Sequence, residues 1–269
     1  MICFPNCKIN LGLYITEKRP DGYHNIETVF YPVPLCDILE IAESNKNEFT
    51  LSGLAIPGKD ESNLCLKAYS SLKKIYSLPS VKIHLHKAIP AGAGLGGGSS
   101  DAAFMIKLLN DTFSLNMPHE QMLDVAGELG SDCSFFIENK PVFATNKGDV
   151  FSYINIDLSK YYLLLVKPDV HIPTPIAYSM VKPKKASYSL KNIDVTKINE
   201  WKNYVTNDFE NAVFAKCSEI KTIKEKMYAL GALYASMSGS GSAVYGIFES
   251  QINTSGLFNG NFVWQGKLK

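Results

Sequence analysis

Apolar and polar residues alternate through Val81-Lys82-Ile83-His84-Leu85-His86, a period of two that predicts a strand with one buried face. Beyond a glycine-rich stretch the pattern changes, and Ala102 to Leu109 is apolar almost all round, which predicts a buried helix. The segment Cys3 to Tyr14 opens with alternation through Pro5-Asn6-Cys7-Lys8-Ile9-Asn10-Leu11, so Lys8 and Asn10 share one strand face. Ile38 to Ala42 and Phe49 to Leu54 read as a strand pair joined by the polar stretch Glu43 to Glu48. A helix is predicted over Asn63 to Tyr76, capped by Ser62 or Asn63, with Leu64, Ala68, Leu72 and Ile75 on one face. Another runs from about His119 to Leu129 and stops at Gly130. Tyr161 to Val166 has the continuous apolar character of a fully buried strand, and Ile172-Pro173-Thr174-Pro175-Ile176-Ala177-Tyr178 forms a stiff connector into a short helix. Lys182 to Glu200 is lysine-rich and lacks a period, as a mobile surface segment would. Asn207 to Lys216 and Ser218 to Leu230 read as helices, and a second glycine-serine loop, Ser236 to Ser242, leads into a strand ending at Phe248.

Composition narrows the class. At 269 residues, with 46% hydrophobic and 20% charged residues, the chain suits one large or two smaller globular domains. A net charge of +1 argues against broad binding to nucleic acid or anionic membranes. No apolar run is long enough to span a bilayer, and residues 1 to 8 lack a secretory signal, so a cytoplasmic protein is expected, monomeric or homodimeric. The six cysteines are scattered with no C-x-x-C pair, which fits reduced thiols and argues against zinc. His84 and His86 lack a third ligand nearby and read as solvated. The polar turn Asn146-Lys147-Gly148-Asp149 is the expected domain boundary, dividing the chain into 1–148 and 149–269.

The candidate chemistry centres on Pro90-Ala91-Gly92-Ala93-Gly94-Leu95-Gly96-Gly97-Gly98-Ser99-Ser100, which puts five of 19 glycines into seven positions. A glycine loop that opens a helix offers unpaired N–H groups and the positive end of a helix dipole to an anion such as phosphate. Gly92, Gly94 and Gly97 satisfy G-x-G-x-x-G, but no second strand ending in an acid follows, as a dinucleotide fold requires. Gly98 stands where a Walker A loop needs lysine. Lys8, taken alone, reads as a solvated strand lysine. Asp132, in Gly130-Ser131-Asp132-Cys133-Ser134-Phe135-Phe136, is equally a helix cap or a functional acid.

The glycine stretch resembles the Pro-x-x-x-Gly-Leu-Gly motif of the GHMP small-molecule kinases, and two further family blocks occur in order, Pro5 to Leu11 and Ser238 to Ala243. The resemblance implies an α+β architecture of two α/β domains, a ribosomal-protein-S5-like ATP-binding domain followed by a ferredoxin-like one, with the active site in the cleft between them. Lys8-Ile9-Asn10-Leu11, Arg19 to His24, Gly130-Ser131-Asp132 and Ile172 to Pro175 narrow it to a branch acting on an alcohol of a cytidine-diphosphate-linked substrate. It then implies Lys8 and Asp132 as the catalytic pair, Asn10 beside the reacting hydroxyl, and Pro90 to Ser100 on the ATP phosphates. Tyr23, His24 and Tyr178 would hold the cytosine, His24 by hydrogen bonds and the two tyrosines by stacking, with Thr174 also at the substrate. Tyr178 stands where the family pattern has phenylalanine, and Ala93 replaces a glycine, which requires a negative φ there. ATP chemistry implies Mg²⁺; its protein ligand is not legible, Ser100 being one possibility. Homoserine- or mevalonate-type activity, a non-catalytic nucleotide-binding regulator and a dinucleotide-dependent oxidoreductase are the competing readings.

Overall fold

The computed structural model describes residues 1–58 and 60–269. In chain order the elements are β1 (Ile2–Cys3), β2 (Asn6–Lys18), β3 (His24–Cys36), β4 (Ile38–Glu43), β5 (Glu48–Gly53), α1 (Leu64–Ile75), β6 (Val81–Lys87), α2 (Gly97–Thr112), α3 (His119–Leu129) and α4 (Cys133–Glu138). There follow β7 (Val142–Thr145), β8 (Val150–Tyr153), β9 (Tyr162–Lys167), α5 (Thr174–Ser179), α6 (Glu210–Lys216), α7 (Ser218–Ala229), β10 (Tyr234–Met237), β11 (Val244–Phe248) and β12 (Phe262–Lys267). These form two compact units that are discontinuous in sequence. The first comprises Met1–Cys7, Leu35–Ala91 and Gly96–Lys140; the second comprises Lys8–Pro34, Gly92–Leu95 and Pro141–Lys269. The turn at residues 146–149 closes the β7–β8 hairpin inside the second unit.

In the first unit the sheet runs β1-β4-β6-β5, and helices α1 to α4 pack on one another, with α2 meeting β4 and β1. The expected pairing of residues 38–42 with 49–54 does not occur. The strand β6 lies between them, antiparallel to β4 (Ile41 opposite Ile83) and parallel to β5 (Phe49 opposite Ile83). A parallel neighbour requires a crossover, which α1 supplies, so the most regular strand of the sequence becomes an interior one. The cap of α1 is Asn63, whose side chain accepts from the Cys65 amide. Its buried face is Cys65, Ala68, Tyr69 and Leu72, whereas Ile75, expected inside, is 51% exposed. Tyr69 earns its interior place because its hydroxyl donates to the Pro79 carbonyl at 2.7 Å. His84 and His86 meet Thr50 and Ser52 hydroxyls across β5 at 2.8–3.0 Å. Among the described residues no cluster of three His, Cys, Asp or Glu could hold a metal. All six cysteines are free.

In the second unit one sheet runs β2-β3-β7-β8 and another, wholly antiparallel, runs β10-β11-β9-β12. Leu163 to Val166 of β9 are fully buried between two neighbouring strands, as their unbroken apolar run predicts. The stretch 182–200 departs from the mobile segment expected. Leu190, Ile193 and Ile198, with Trp201 just beyond, are buried and anchor short 3₁₀ turns, and the Trp201 indole donates to the Asp194 carbonyl. These anchors are spaced by three to five residues, and the lysines between them mask the period. Among the described residues no helix is long and apolar enough to cross a membrane.

Candidate active site

The strand β6 delivers the chain to the glycine loop, which crosses between the two units at Gly92 and again at Gly96. Gly92, Gly94 and Gly96 have φ of +61°, +77° and +71°, while Ala93 keeps a negative φ, meeting the requirement its methyl group imposes. The backbone at Gly94 is in close contact: a Cβ there would stand 2.0 Å from the Ser238 carbonyl oxygen. Gly96 occupies the cap position of α2 and provides no side-chain cap. The first amides of α2 therefore lack intrahelical partners at the positive end of a 16-residue helix, as an anion cradle requires. In its first turn Ser100 is fully buried and its Oγ has no partner.

Lys8 lies in β2 and is 4% exposed, so it is not the solvated strand lysine that its position alone suggests. Its strand is buried on both faces from Asn6 to Ile15, and a buried ammonium must be hydrogen-bonded. Lys8 Nζ donates to Asn10 Oδ1 at 2.7 Å and to the Gly94 carbonyl at 3.3 Å, and sits 4.8 Å over the Phe30 ring. Asn10 is oriented by donating to Thr28 Oγ1 (2.9 Å), whose own hydroxyl donates to the Gly12 carbonyl. Ser238 Oγ also donates to the Gly94 carbonyl, at 2.8 Å. Both glycine loops of the sequence thus converge on the acceptors that hold Lys8.

Asp132 is in the first unit, half-buried at the cap position of α4, and its side chain makes no capping hydrogen bond. The reading of Asp132 as a mere cap therefore finds no support in its geometry. His24 and Tyr178 stack with centroids 4.8 Å apart and planes inclined by 21°, and Phe209 meets Tyr178 edge-on at 4.9 Å. Partial burial and the nearby Lys18 charge lower the His24 pKa, favouring the neutral imidazole, which can both donate and accept. Tyr23, expected with Tyr178 to stack on the cytosine, is 62% exposed, and Lys147 Nζ lies over its ring at 5.2 Å. Thr174 opens α5, and its hydroxyl meets Ser240 Oγ at 3.1 Å.

Two sets of residues escape the sequence reading. In the first unit Lys87, 3% exposed, is paired with Asp37 and donates to Asp101 Oδ2 at 2.6 Å. Asp37 also accepts from the Ala88 and Ile89 amides, at 2.6 and 2.8 Å, so the triad grips both approaches to the glycine loop. Burial pushes the Asp101 carboxyl up to about 8 against the pull of Lys87, with the Asp37 charge adding to the rise. Burial also disfavours the Lys87 ammonium, yet the two carboxylates outweigh it and hold its pKa above the ordinary value. In the second unit Asn207 and Glu210 bond to the backbone of the second glycine loop.

A glycine loop opening a 16-residue helix and a buried lysine bonded to that loop fit what a small-molecule kinase needs for a phosphate and its charge. Residues 63–139 match the model of the GHMP kinases N terminal domain and 189–253 that of the GHMP kinases C terminal domain. Over the full length of both chains, the sequence is 52% identical to a 4-diphosphocytidyl-2-C-methyl-D-erythritol kinase of Parabacteroides distasonis and 53% identical to one of Bacteroides fragilis. A crystal structure of a 4-(cytidine 5'-diphospho)-2C-methyl-D-erythritol kinase superposes with a TM-score of 0.77 at 30% identity, covering 92% of this chain and 90% of the other. The chain belongs to the GHMP kinase family and, within it, to the group of 4-diphosphocytidyl-2-C-methyl-D-erythritol kinases.

Proposed function

We propose that the chain transfers the γ-phosphoryl group of ATP to the 2-hydroxyl of 4-diphosphocytidyl-2-C-methyl-D-erythritol, giving the 2-phosphate and ADP in isoprenoid precursor synthesis. The whole-length identity to kinases of that name carries the assignment. Phosphoryl transfer needs alignment, neutralised charge and a place for the hydroxyl proton. The uncapped amides of α2 bind the triphosphate. Asp132 accepts the hydroxyl proton as general base, and Lys8, pinned by Asn10 and Gly94, stabilises charge on the transferring group. The buried, unpartnered hydroxyl of Ser100 suits a Mg²⁺ ligand, with the nucleotide phosphates supplying others; the ion neutralises phosphate charge when bound. His24 hydrogen-bonds the cytosine edge and Tyr178 offers its ring, so the binding energy of an unreacting base orients a distant hydroxyl. We read the two family segments, 63–139 and 189–253, as belonging to separate domains and the enzyme as cytoplasmic. ADP release is the test: turnover of the cytidine substrate without turnover of mevalonate or homoserine is expected, and the reverse pattern refutes the assignment.

A further inference from the structure

The segment Asn207-Asp208-Phe209-Glu210, which follows Thr206 and runs into the start of α6, uses all four side chains to hold other parts of the second unit. Its backbone is locked to β2: the Leu13 amide donates to the Thr206 carbonyl and the Asp208 amide to the Leu13 carbonyl, both at 2.9 Å. Asp208 Oδ2 accepts from the Ile15 amide at 2.9 Å. Asn207 Nδ2 donates to two carbonyls, Met237 and Gly239, each at 2.8 Å, while its Oδ1 accepts from the Phe209 amide. Glu210 Oε1 accepts from the Met237 amide (2.9 Å) and Ser236 Oγ (3.0 Å), and its other oxygen accepts from Lys224 Nζ. Phe209 supports the Tyr178 ring that stacks on His24.

The residue bracketed by these bonds is Ser238, whose hydroxyl donates to the same Gly94 carbonyl that accepts from Lys8. Asn207 is 4% exposed and Glu210 8% exposed, so their bonds form out of water, where a missing partner is costly. We propose that Asn207 and Glu210 are positioning residues for phosphoryl transfer, fixing the Met237–Gly239 backbone so that Ser238 sets Gly94 and, through it, the Lys8 ammonium. Phe209 serves the base clamp from the same short segment. The segment therefore ties nucleoside binding and the reacting end to one rigid attachment on β2. The proposal rests on the reading of Lys8 as the catalytic cation.

Asn207→Asp is isosteric but removes both N–H donors and sets a carboxylate against two carbonyls. It is expected to lower kcat about 30- to 100-fold, the scale of a misplacement of about 1 Å, while the KM for the cytidine substrate stays within about twofold. Glu210→Ala is expected to lose kcat similarly, and Glu210→Gln, which keeps the accepting oxygen and loses the ion pair to Lys224, to recover most of that loss. Amide hydrogen exchange across residues 236–243 is expected to speed up in Asn207→Asp and Glu210→Ala and to stay slow in Glu210→Gln. Equal losses in the glutamine and alanine variants, kcat near wild type in Asn207→Asp, or a rise in the substrate KM alone would each overturn the proposal. Should Asn207→Asp not fold, the Glu210 pair decides by the same criteria. Accelerated exchange together with unaltered kcat would show that the loop is braced but Lys8 is not what it positions; absent turnover in wild type would instead refute the substrate assignment.

Discussion

Replacing Gly94 by alanine tests whether the contact between the two glycine loops holds Lys8, the proposed catalytic cation. At φ +77° a non-glycine residue costs about 1–2 kcal/mol in backbone strain. The added Cβ would stand 2.0 Å from the Ser238 carbonyl oxygen and 2.9 Å from its carbon, where ordinary contact begins at 3.4 Å. Neither obstacle is a flexible side-chain tip, so the loops must separate by more than an ångström. The Gly94 carbonyl then loses its place between Ser238 Oγ and Lys8 Nζ. Those two bonds are worth about 1 and about 1.5–3 kcal/mol, the second being charge-assisted. A total of about 2.5–4 kcal/mol and a displaced Lys8 predict a fall in kcat/KM of about 100-fold or more. Gly231→Ala is the control, because φ there is +93° but nothing lies within 4 Å of the new methyl group. It is expected to show the strain of about 1–2 kcal/mol in thermal unfolding and wild-type ADP release. Gly94→Ala with kcat/KM within threefold of wild type would refute the reasoning.

Asp132→Asn is expected to lower kcat by about 10²–10⁴-fold, the range for a lost general base, with the affinity for an ATP analogue unchanged by titration calorimetry; near-normal turnover removes Asp132 from the role. Tyr178→Ala removes the ring stacked on His24, and its KM for the cytidine substrate is expected to rise about 5- to 150-fold, the value of 1–3 kcal/mol of stacking; an unaltered KM places the base elsewhere. Lys87→Met leaves Asp37 and Asp101 buried without their cation and is expected to destabilise the protein by about 3–5 kcal/mol in chemical denaturation; a loss below 1 kcal/mol contradicts the triad. Asp101 keeps its proton in the fold up to about 8, above its value of 3.8 elsewhere, so across that window the folded chain binds the extra proton and stability falls as pH rises. Asp101→Asn removes that slope, and its stability relative to wild type is expected to improve from pH 5 to 8.5; a difference independent of pH counts against it.

The helices α1, α2, α3 and α7, the strands β6 and β9 and the glycine loops were legible because each has a period or a terminus signal within its own sequence. The 13-residue strand β3 was not, since Pro32 and Pro34 interrupt a pattern that the sheet nevertheless accommodates. Nor was β12, whose half-buried residues alternate weakly at the edge of its sheet. Strand partners were misjudged for a related reason: nothing local in residues 38–54 announces that β6 inserts between the two strands. At the site, the positions of Lys8, Asn10 and Asp132 came from motif order. The burial of Lys8 came only from the fold, because it depends on both faces of β2 being covered.

Lys87 shows that some of what was missed carried a signal after all. The alternation of β6 places Val81, Ile83 and Leu85 inward, and Lys87 falls in phase with them. A lysine on the buried face of a strand cannot remain unpaired, so the period alone requires an anion opposite it. Of the acids in that unit, Asp101 follows the glycine loop directly and Asp37 joins β3 to β4, both places where a carboxylate can reach the end of β6. Asn207 carried no such signal. An asparagine before a helix reads as a cap, and its real partners, the carbonyls of Met237 and Gly239, lie 30 and 32 residues away. Charge out of place against a periodic background can be recognised in one sequence, whereas a neutral amide bridging two loops is recognisable only once the loops are folded.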